Sequence, residues 1–520
     1  MKQNTNESHR ILEKSRTGFS RILFGRSILI LALLLLHFLL LFSVLMPLME
    51  RLPALFGGVV AFTAIMQIHV LNTPDNPSVK LSWCVLIAVL PLFGTMLYFI
   101  FRFDLGYRII HRRLRASMEE SVPHIPDPAP LLAQMEDRDL KNLSTYLYRS
   151  CGCPVFGNTE VRYFPSGEAK FEEMLVQLEK AEHFIYLEYF IIGPSEMWSR
   201  ILDILARKAQ AGVDVRVMYD GGCAVTYLPY GYPEELKKLG IQCKMFSPFR
   251  PFLSTHYNNR DHRKILVIDG HTAFTGGINL QDRYINKKTV YGHWKDTAVM
   301  VHGDAARSFT LMFLQMWNAS EKVRNFDPHP IPESTVRAEG CVIPYADSPM
   351  DRERAGKMVY LHLINQAKDR LWIMTPYLIL DSEMLTAMTF AAKRGVDVRI
   401  ILPHIPDKKS AFLLARSHYS ELLEAGVRIY EYTPGFVHAK VCLCDDTQAV
   451  VGTINFDYRS LYLNFECAAY LYRVPAIRDI QTDFMDTMEK SLPISPEDVK
   501  HFPLSTRVMG RLLKLVAPLL

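Results

Sequence analysis

Two stretches of the sequence carry the same reactive side chains at the same spacing. Each reads His-x-Lys-x4-Asp-x6-Gly-x-x-Asn, where x is any residue. A histidine can act as a nucleophile or an acid, a lysine supplies positive charge, and an asparagine supplies an amide donor. This set suits a phosphodiester, whose oxygens need donors and whose phosphorus needs a nucleophile. The residues are His262, Lys264, Asp269 and Asn279 in the first stretch, and His438, Lys440, Asp445 and Asn455 in the second.

The spacing indicates how each stretch folds. Side chains alternate between the two faces of a strand, so a strand through His262 and Lys264 would place both on one face. The glycine three residues before each asparagine allows a tight turn, which returns the amide to the histidine and lysine. Apolar residues are expected to bury the rest of each strand: Ile265, Val267 and Ile268 in the first, Val441 and Leu443 in the second.

Strand and helix patterns alternate along the chain beyond residue 130, as in an α/β protein. The pattern also repeats: AGVDVR at 211–216 recurs as RGVDVR at 394–399, and further matches follow in the same order. One glycine–valine match is typical of any helix-to-strand turn, but an ordered series indicates duplication. We therefore predict an α/β fold with two pseudo-symmetric lobes at 158–339 and 340–483, each a mixed sheet flanked by helices.

Apolar sequence dominates the first hundred residues. Segments 27–49 and 81–101 are each long enough to span a bilayer, while 54–71 is shorter and carries Gln67 and His69. Basic residues flank this block on both sides, which favours cytoplasmic flanks and hence an even number of spans. Three apolar segments conflict with that requirement, so the prediction is two or three transmembrane helices.

These features divide the rest of the chain into regions. The predictions are a basic cytoplasmic tail at 1–26, a transmembrane anchor at 27–105, a proline-rich linker with a connecting helix at 106–157, and a C-terminal helical tail at 484–520. Nine cysteines, an odd number at low density, indicate reduced thiols on a cytosolic face. Cys442 and Cys444 are expected to be buried, small apolar residues of a strand.

Composition and missing motifs exclude several classes of protein. The net charge of +5 is mild and predicts no general affinity for nucleic acid. The sequence has no GxxxxGK loop for nucleotide phosphates, and neither His-x-x-x-His nor a Cys-x-x-Cys pair for a metal. We therefore predict no metal and no cofactor, with lysines and asparagines neutralising charge in the site.

The doubled motif resembles that of the phospholipase D superfamily. With the apolar N-terminal block, the chain resembles the bacterial-type cardiolipin synthases of that superfamily from about residue 72 onward, including 186–192, 259–269, 294–296 and 464–466. The family often has serine at the position of Gly277 and Thr453, a departure expected to affect one minor hydroxyl contact. The resemblance implies two phospholipase D-like lobes on the cytoplasmic side of a bacterial plasma membrane, anchored by several spans.

The resemblance also implies roles for the motif residues. His262 would attack phosphorus and form a phosphohistidine, and His438 would protonate the leaving alcohol and activate the incoming one, although the symmetry of the copies leaves a swap open. Asp296 and Glu466 would each orient the imidazole of the histidine that precedes them in the chain. The phosphate oxygens would be held by Lys264, Asn279, Lys440 and Asn455. Asp269 and Asp445 belong to the catalytic motif, but they follow their strands and are expected to stabilise the lobe interior rather than touch substrate.

The substrate implied by the resemblance is phosphatidylglycerol, two molecules of which would give cardiolipin and glycerol. Rival interpretations are a membrane-tethered phospholipase D hydrolase, a nuclease of the same superfamily, and an inactive membrane scaffold. Two further segments have open interpretations. The aromatic stretch 227–257 is either a packed loop or a mouth for lipid, and the tail at 504–520 is either an interfacial or a core helix. The expected partners are a phospholipid and a membrane, not nucleic acid. The sequence leaves the oligomeric state open.

Overall fold

The computed structural model describes residues 53–102, 105–248, 259–329, 331, 334–351 and 353–519, together with Leu35, Leu39 and Ser43. The predicted basic tail at 1–26 and nearly all of the predicted span at 27–49 lie outside the described residues.

From residue 53 onward, the described chain begins with three apolar helices: α1 (Pro53–Leu71), α2 (Pro77–Val89) and α3 (Pro91–Arg102). Pro91 ends α2, and α3 folds back so closely that a Cβ on Gly94 would lie 2.8 Å from the carbonyl oxygen of Leu86. Segment 81–101, predicted as one span, is therefore two short helices, because Pro91 cannot continue the hydrogen-bond ladder and Gly94 permits the close return. Among the described residues, no helix has both the length and the apolar character needed to cross a membrane.

Three more helices lead to the lobes: α4 (Leu105–Ser121), α5 (Ala129–Gln134) and α6 (Arg138–Cys151), with a 3-10 turn at Val122–His124. The Ser117 hydroxyl donates to the carbonyl of Gln315 in the first lobe at 2.7 Å. Asp137 caps α6 and accepts the hydroxyl of Tyr472 in the second lobe. The segment predicted as a linker therefore packs against both lobes.

The first lobe contains strands and helices that alternate as predicted. Its strands are β1 (Thr159–Phe164), β2 (Phe184–Tyr189), β3 (Asp214–Asp220), β4 (Gln242–Phe246), β5 (Lys264–Ile268), β6 (Thr272–Gly276), β7 (His293–Lys295) and β8 (Ala298–Gly303). Its helices are α7 (Gly167–Lys180), α8 (Glu196–Gln210), α9 (Gly222–Thr226), α10 (Tyr232–Lys238) and α11 (Ala306–Asn318), with a 3-10 turn at Asp282–Ile285. The sheet order is β1-β8-β6-β5-β2-β3-β4.

The second lobe repeats this arrangement. Its strands are β9 (Cys341–Asp347), β10 (Arg370–Met374), β11 (Asp397–Pro403), β12 (Arg428–Tyr432), β13 (Gly435–Val437), β14 (Val441–Cys444), β15 (Gln448–Gly452), β16 (Glu466–Tyr472) and β17 (Ser491–Ile494). Its helices are α12 (Ala355–Gln366), α13 (Ser382–Lys393), α14 (Lys409–Arg416), α15 (Tyr419–Glu424), α16 (Tyr458–Tyr462) and α17 (Ala476–Glu489). Then follow α18 (Pro496–Lys500), α19 (Leu504–Val516) and a 3-10 turn at Ala517–Leu519.

The two sheets match strand for strand, which confirms the duplicated α/β fold. The second sheet runs β17-β12-β11-β10-β14-β15-β16-β9, so from β12 to β9 it reproduces the order from β4 to β1 in the first. Each sheet has three successive parallel strands, β2-β3-β4 in the first and β10-β11-β12 in the second. One strand of each set pairs antiparallel with the motif strand, β2 with β5 and β10 with β14, as in a mixed sheet. The added strand β17 pairs Ile494 with Ile429 on β12, so the second lobe extends past the predicted end at residue 483.

The central strand of each lobe shows why the duplicated motif folds as it does. On β5, Ile265 and Val267 enter a core shared by the two lobes, while Leu266 and Ile268 pack in the core of the first lobe, which Phe436 of the second lobe also joins. On β14, Val441 and Leu443 enter the same shared core, and Cys442 and Cys444 face the interior of the second lobe. The alternation confirms the predicted burial, and all nine cysteines are free thiols.

Candidate active site

The two motif histidines lie where the lobes meet. His262 and His438 precede β5 and β14 rather than lying within them, which differs from the predicted strand through histidine and lysine. The reason is that their backbones bond to the opposite lobe. The N–H of His262 donates to the carbonyl of Phe465 at 2.9 Å, and the N–H of His438 donates to the carbonyl of Lys295 at 2.7 Å.

Each imidazole is held by a carboxylate of the opposite lobe. The Nδ1 atom of His262 lies 2.8 Å from Glu466, and the Nδ1 atom of His438 lies 2.7 Å from Asp296. The prediction that each carboxylate orients the histidine preceding it in its own lobe is therefore wrong. The pairs are crossed because each carboxylate directly follows the residue whose carbonyl accepts the N–H of the opposite histidine.

The crossed pairs decide which ring nitrogen can react. A carboxylate beside Nδ1 favours the tautomer with hydrogen on that atom, which leaves the Nε2 lone pair of each imidazole available. Both carboxylates are fully buried, whereas each histidine keeps 9% of its surface exposed. Each imidazole is thus oriented by a buried carboxylate and remains accessible on its exposed side, so that one can act as nucleophile and the other can carry a proton.

The two motif lysines lie beside both histidines. Lys264 and Lys440 are fully buried, and the amino group of each donates to the carbonyl of its own motif histidine. Burial lowers the pKa of His262 and of His438, and the positive charges of both lysines lower each pKa further. The four side chains therefore form one electrostatic unit that attracts an anion and keeps both imidazoles neutral when the site is empty.

The pKa values of this unit predict a bell-shaped pH profile for turnover, with its maximum near pH 7. Burial raises the pKa of Glu466 to about 7, so acidification protonates the partner of His262. Burial lowers the pKa of Lys440 to about 7 and that of Lys264 to about 8, so alkalinity removes the charge of Lys440 first. Turnover measured from pH 5 to 10 at constant ionic strength checks this. Because arginine stays charged, Lys440→Arg should lower turnover but move the alkaline limb upward, and an unmoved limb would assign that limb to another group.

The two motif asparagines occupy equivalent positions beside the site. The side-chain amide of Asn279 donates to the hydroxyl of Tyr284 at 3.0 Å, and that of Asn455 donates to the hydroxyl of Ser460 at 3.1 Å. The carbonyl oxygen of Asn279 also accepts the N–H of Ile191 at 3.0 Å. Each amide group is thereby fixed, and since it carries two hydrogens, one remains to face a phosphate oxygen.

The motif aspartates lie at the far ends of the two central strands, away from the histidines. Asp269 accepts the backbone N–H groups of Glu182, His183 and Phe184, at 2.7–2.8 Å. Asp445 accepts the equivalent N–H groups that begin β10, those of residues 368–370. Each aspartate thus fastens the start of the neighbouring strand. This geometry does not support a catalytic role for Asp269 and Asp445. It agrees with the prediction that the two aspartates stabilise the interior of their lobes.

The carboxylates differ in what surrounds them. Burial opposes the ionisation of Asp296, but His438 and Lys440 outweigh it and lower the pKa of this carboxyl. Burial raises the pKa of Glu466, and Lys264 together with the hydrogen bonds accepted from Thr453 and Asn464 offsets only part of that effect. His438 therefore has the more firmly ionised partner and is better suited to carry a proton.

Position 277 must be glycine in this structure. A Cβ there would lie 2.0 Å from Oδ1 of Asp296 and 2.8 Å from the carbonyl oxygen of His438. Gly277→Ala is therefore expected to displace this pair and to lower turnover about 100-fold, the usual effect of misplacing a catalytic group by about 1 Å. Gly157→Ala, where a Cβ meets nothing within 4 Å, is the control. Kinetics with thermal unfolding of both variants checks this, and equal turnover in the two would show that Asp296 tolerates the shift.

Several residues of the site were not anticipated from the sequence. The amino group of Lys170, on α7, is fully buried, donates to the Tyr189 hydroxyl at 2.9 Å and lies in the field of Asp296 and Lys264. Tyr284 lies against the His438 ring at 5.6 Å. The five-residue spacing from Asn279 to Tyr284, matched from Asn455 to Ser460, is the signal that could have revealed Tyr284. No local pattern marks Lys170, which reaches the site only through the packing of α7.

The described part of the aromatic stretch 227–257 contains both packed and exposed aromatic side chains. Tyr232 is fully buried and its hydroxyl accepts the indole N–H of Trp198 at 2.6 Å, as in a packed loop. Phe246 packs edge-on against Phe465 at 5.5 Å, beside the crossed pair of Glu466, and Tyr230 is exposed. Phe249, Phe252 and Tyr257 lie outside the described residues.

Comparison with known proteins agrees with this geometry. A family model described as cardiolipin synthase, phospholipase D-like domain, matches residues 174–317 and 360–488, and one described as phospholipase D-nuclease N-terminal matches residues 61–102. The chain is 34% identical to a cardiolipin synthase of Geobacillus kaustophilus, over 90% of this chain and 95% of that protein. It is 50% identical to an uncharacterized protein of Streptococcus mutans, over 87% of this chain and 99% of that protein.

A solved structure shares the fold. The phosphatidylserine synthase of Haemophilus influenzae matches with a TM-score of 0.57 at 15% identity, over 74% of this chain and 100% of that one. This likeness concerns the arrangement of the two lobes. The matched family model, together with the cardiolipin synthase relative that aligns along nearly its whole length, shows that the chain belongs to the cardiolipin synthase family of the phospholipase D superfamily.

Proposed function

We propose that this chain is a cardiolipin synthase, a phosphatidyltransferase that joins two phosphatidylglycerol molecules and releases glycerol. The observation that carries the proposal is the crossed arrangement of two imidazole–carboxylate pairs, one from each lobe, around two buried lysines. Such a site offers a nucleophile, a proton carrier and positive charge to one phosphodiester. Transfer through an enzyme-bound intermediate needs all three.

In the first half of the proposed reaction, Nε2 of His262 attacks the phosphorus of one phosphatidylglycerol. The bond from phosphorus to the head-group glycerol breaks, and His438 gives its proton to the departing oxygen, so that glycerol leaves. Burial and the neighbouring lysines favour the neutral form of His438. A bound phosphate anion offsets their charge and favours the imidazolium, which the ionised Asp296 supports.

In the second half, His438 accepts the proton of a hydroxyl on the head group of the second phosphatidylglycerol. That oxygen attacks the phosphohistidine, the phosphorus–nitrogen bond breaks, and cardiolipin forms while His262 is regenerated. Lys264, Lys440, Asn279 and Asn455 stabilise the charge on the phosphate oxygens in both steps. The complete burial of both lysines supports a site that is partly shielded from water, which favours a lipid hydroxyl over hydrolysis.

The proposed location is the plasma membrane of a bacterium, with the lobes on the cytoplasmic side and a multi-pass N-terminal anchor. The apolar segments of the first hundred residues and their basic flanks support it. The apolar surfaces of α1 to α3 are consistent with a lipid environment, since Ile65 and Ile68 are each more than half exposed. The substrate would then reach the site from the same bilayer.

The deciding experiment is the product formed by the full chain reconstituted in vesicles containing phosphatidylglycerol labelled in its head-group glycerol, with EDTA present. Cardiolipin with an equal amount of released glycerol is expected. Phosphatidic acid would instead identify a hydrolase, and cleavage of added DNA would identify a nuclease. Loss of product in EDTA would contradict the predicted independence of metal ions, and the absence of any product would favour a scaffold.

A further inference from the structure

The C-terminal helix α19 presents three different faces. One face packs on the second lobe, where a Cβ on Gly510 would lie 3.0 Å from the carbonyl oxygen of Leu413 and 3.1 Å from Cβ of Ser417. Ala517, at the end of the helix, is buried. The helix is therefore packed on the lobe along one face, with a few contacts to α2.

The opposite face is apolar and exposed. Leu504 is 71% exposed, Val508 47% and Leu512 54%, and the spacing of four places them along one side of the helix. Leu515 continues the same side at 44% exposure. A row of large apolar side chains turned away from the core does not contribute to the stability of the lobe, so it indicates a surface that contacts another apolar phase.

Basic residues line the edge between these faces. Arg507 and Arg511 are exposed on α19 and line a cleft of about 330 Å³ between the helix and the second lobe. Arg416 and Lys500 also line it, but Arg416 already binds the buried Glu431 and Lys500 pairs with Glu497. Glu424 is the acidic member of the lining. The positive charge available to an outside partner is thus mainly that of the two arginines.

The far end of α19 leads to the apolar N-terminal helices. The 3-10 turn Ala517–Leu519 packs against α2. That helix exposes Leu81 and Val89, at 59% and 70%. The apolar row on α19 therefore continues at its C-terminal end into a helix that also exposes large apolar side chains.

We infer that α19 docks the second lobe on the surface of a bilayer that contains anionic phospholipids. The apolar row enters the boundary between head groups and acyl chains, and Arg507 and Arg511 meet the lipid phosphates. The partner is a lipid surface because an exposed apolar row with a basic edge matches the apolar interior and negative surface of such a membrane. The contact adds a second attachment to the proposed N-terminal anchor and does not depend on the reaction at the histidines.

The test is hydrogen exchange of the full chain reconstituted in nanodiscs, either of phosphatidylcholine alone or with phosphatidylglycerol added. The amides of 504–516 are expected to exchange about thirtyfold more slowly in the anionic discs, the combined effect of two basic residues at such a surface. Arg507→Gln/Arg511→Gln should remove this difference. Val508→Ser/Leu512→Ser should remove the protection in both kinds of disc.

Phe390→Ser is the matched control, because Phe390 is an equally exposed apolar residue, 59%, on α13 of the same lobe. The Phe390→Ser variant should show the full slowing of exchange by anionic lipid. All variants should unfold at similar temperatures. Equal exchange in the two kinds of disc, or an unchanged lipid effect in the arginine variant, would overturn the inference. Protection produced by inorganic phosphate in phosphatidylcholine discs would overturn it too, since the cleft would then bind a free anion. Because exchange is measured rather than turnover, failure here leaves the proposed reaction untouched.

Discussion

His262→Ala is expected to abolish cardiolipin formation and, with it, covalent labelling of the chain by phosphatidylglycerol that carries labelled phosphorus. Removing a nucleophile typically costs about four to six orders of magnitude in turnover. The imidazole is the group aimed at phosphorus, and its removal leaves Glu466 with nothing to orient. Trapping in alkali, which preserves a phosphorus–nitrogen bond, measures the labelling directly.

His438→Ala provides the comparison. It should also lose turnover, but labelling should persist, form more slowly and decay more slowly, because no imidazole then activates the second lipid hydroxyl. His183→Ala, an exposed histidine of the first lobe, should behave as wild type. If labelling survives in His262→Ala and disappears in His438→Ala, the roles of the two histidines are exchanged. If neither the variants nor the wild type are labelled, the reaction has no covalent intermediate.

Asp296→Asn is expected to lower turnover by about three to four orders of magnitude, as happens when an amide replaces the aspartate that orients a catalytic histidine. An amide in place of Asp296 cannot support the imidazolium of His438, which lies 2.7 Å away. The variant should therefore resemble His438→Ala and retain labelling. Glu466→Gln should instead resemble His262→Ala and impair the formation of the labelled intermediate.

This pattern tests the crossing of the lobes, because pairing within each lobe predicts the opposite result for both variants. The same trapping assay, with single-turnover kinetics, decides between them. Glu497→Gln, which alters an exposed carboxylate of the C-terminal region, is the control for loss of charge. Thermal unfolding should change little in Glu497→Gln, and any large decrease in Asp296→Asn or Glu466→Gln would show that the carboxylate also holds the lobes together.

Short-range geometry explains why the sequence could place part of the motif. His262 and Lys264 are separated by one residue, and the amino group of Lys264 donates to the carbonyl of His262. The apolar run from Ile265 to Ile268 likewise indicated a buried strand, and the alternation of its side chains divides them between two cores. Lys170 could not be found in this way, since its helix reaches the site through packing.

By itself the sequence determined the duplicated α/β fold, the two histidines with their lysines, and the supporting place of Asp269 and Asp445. Only the tertiary structure decided that Glu466 serves His262 and Asp296 serves His438, across separations of 204 and 142 residues. It also decided that 81–101 turns back at Pro91 and that the row on α19 stays exposed. The physical reason is the same in each case: periodicity specifies which face of an element is apolar, whereas the partner of that face depends on how distant elements pack.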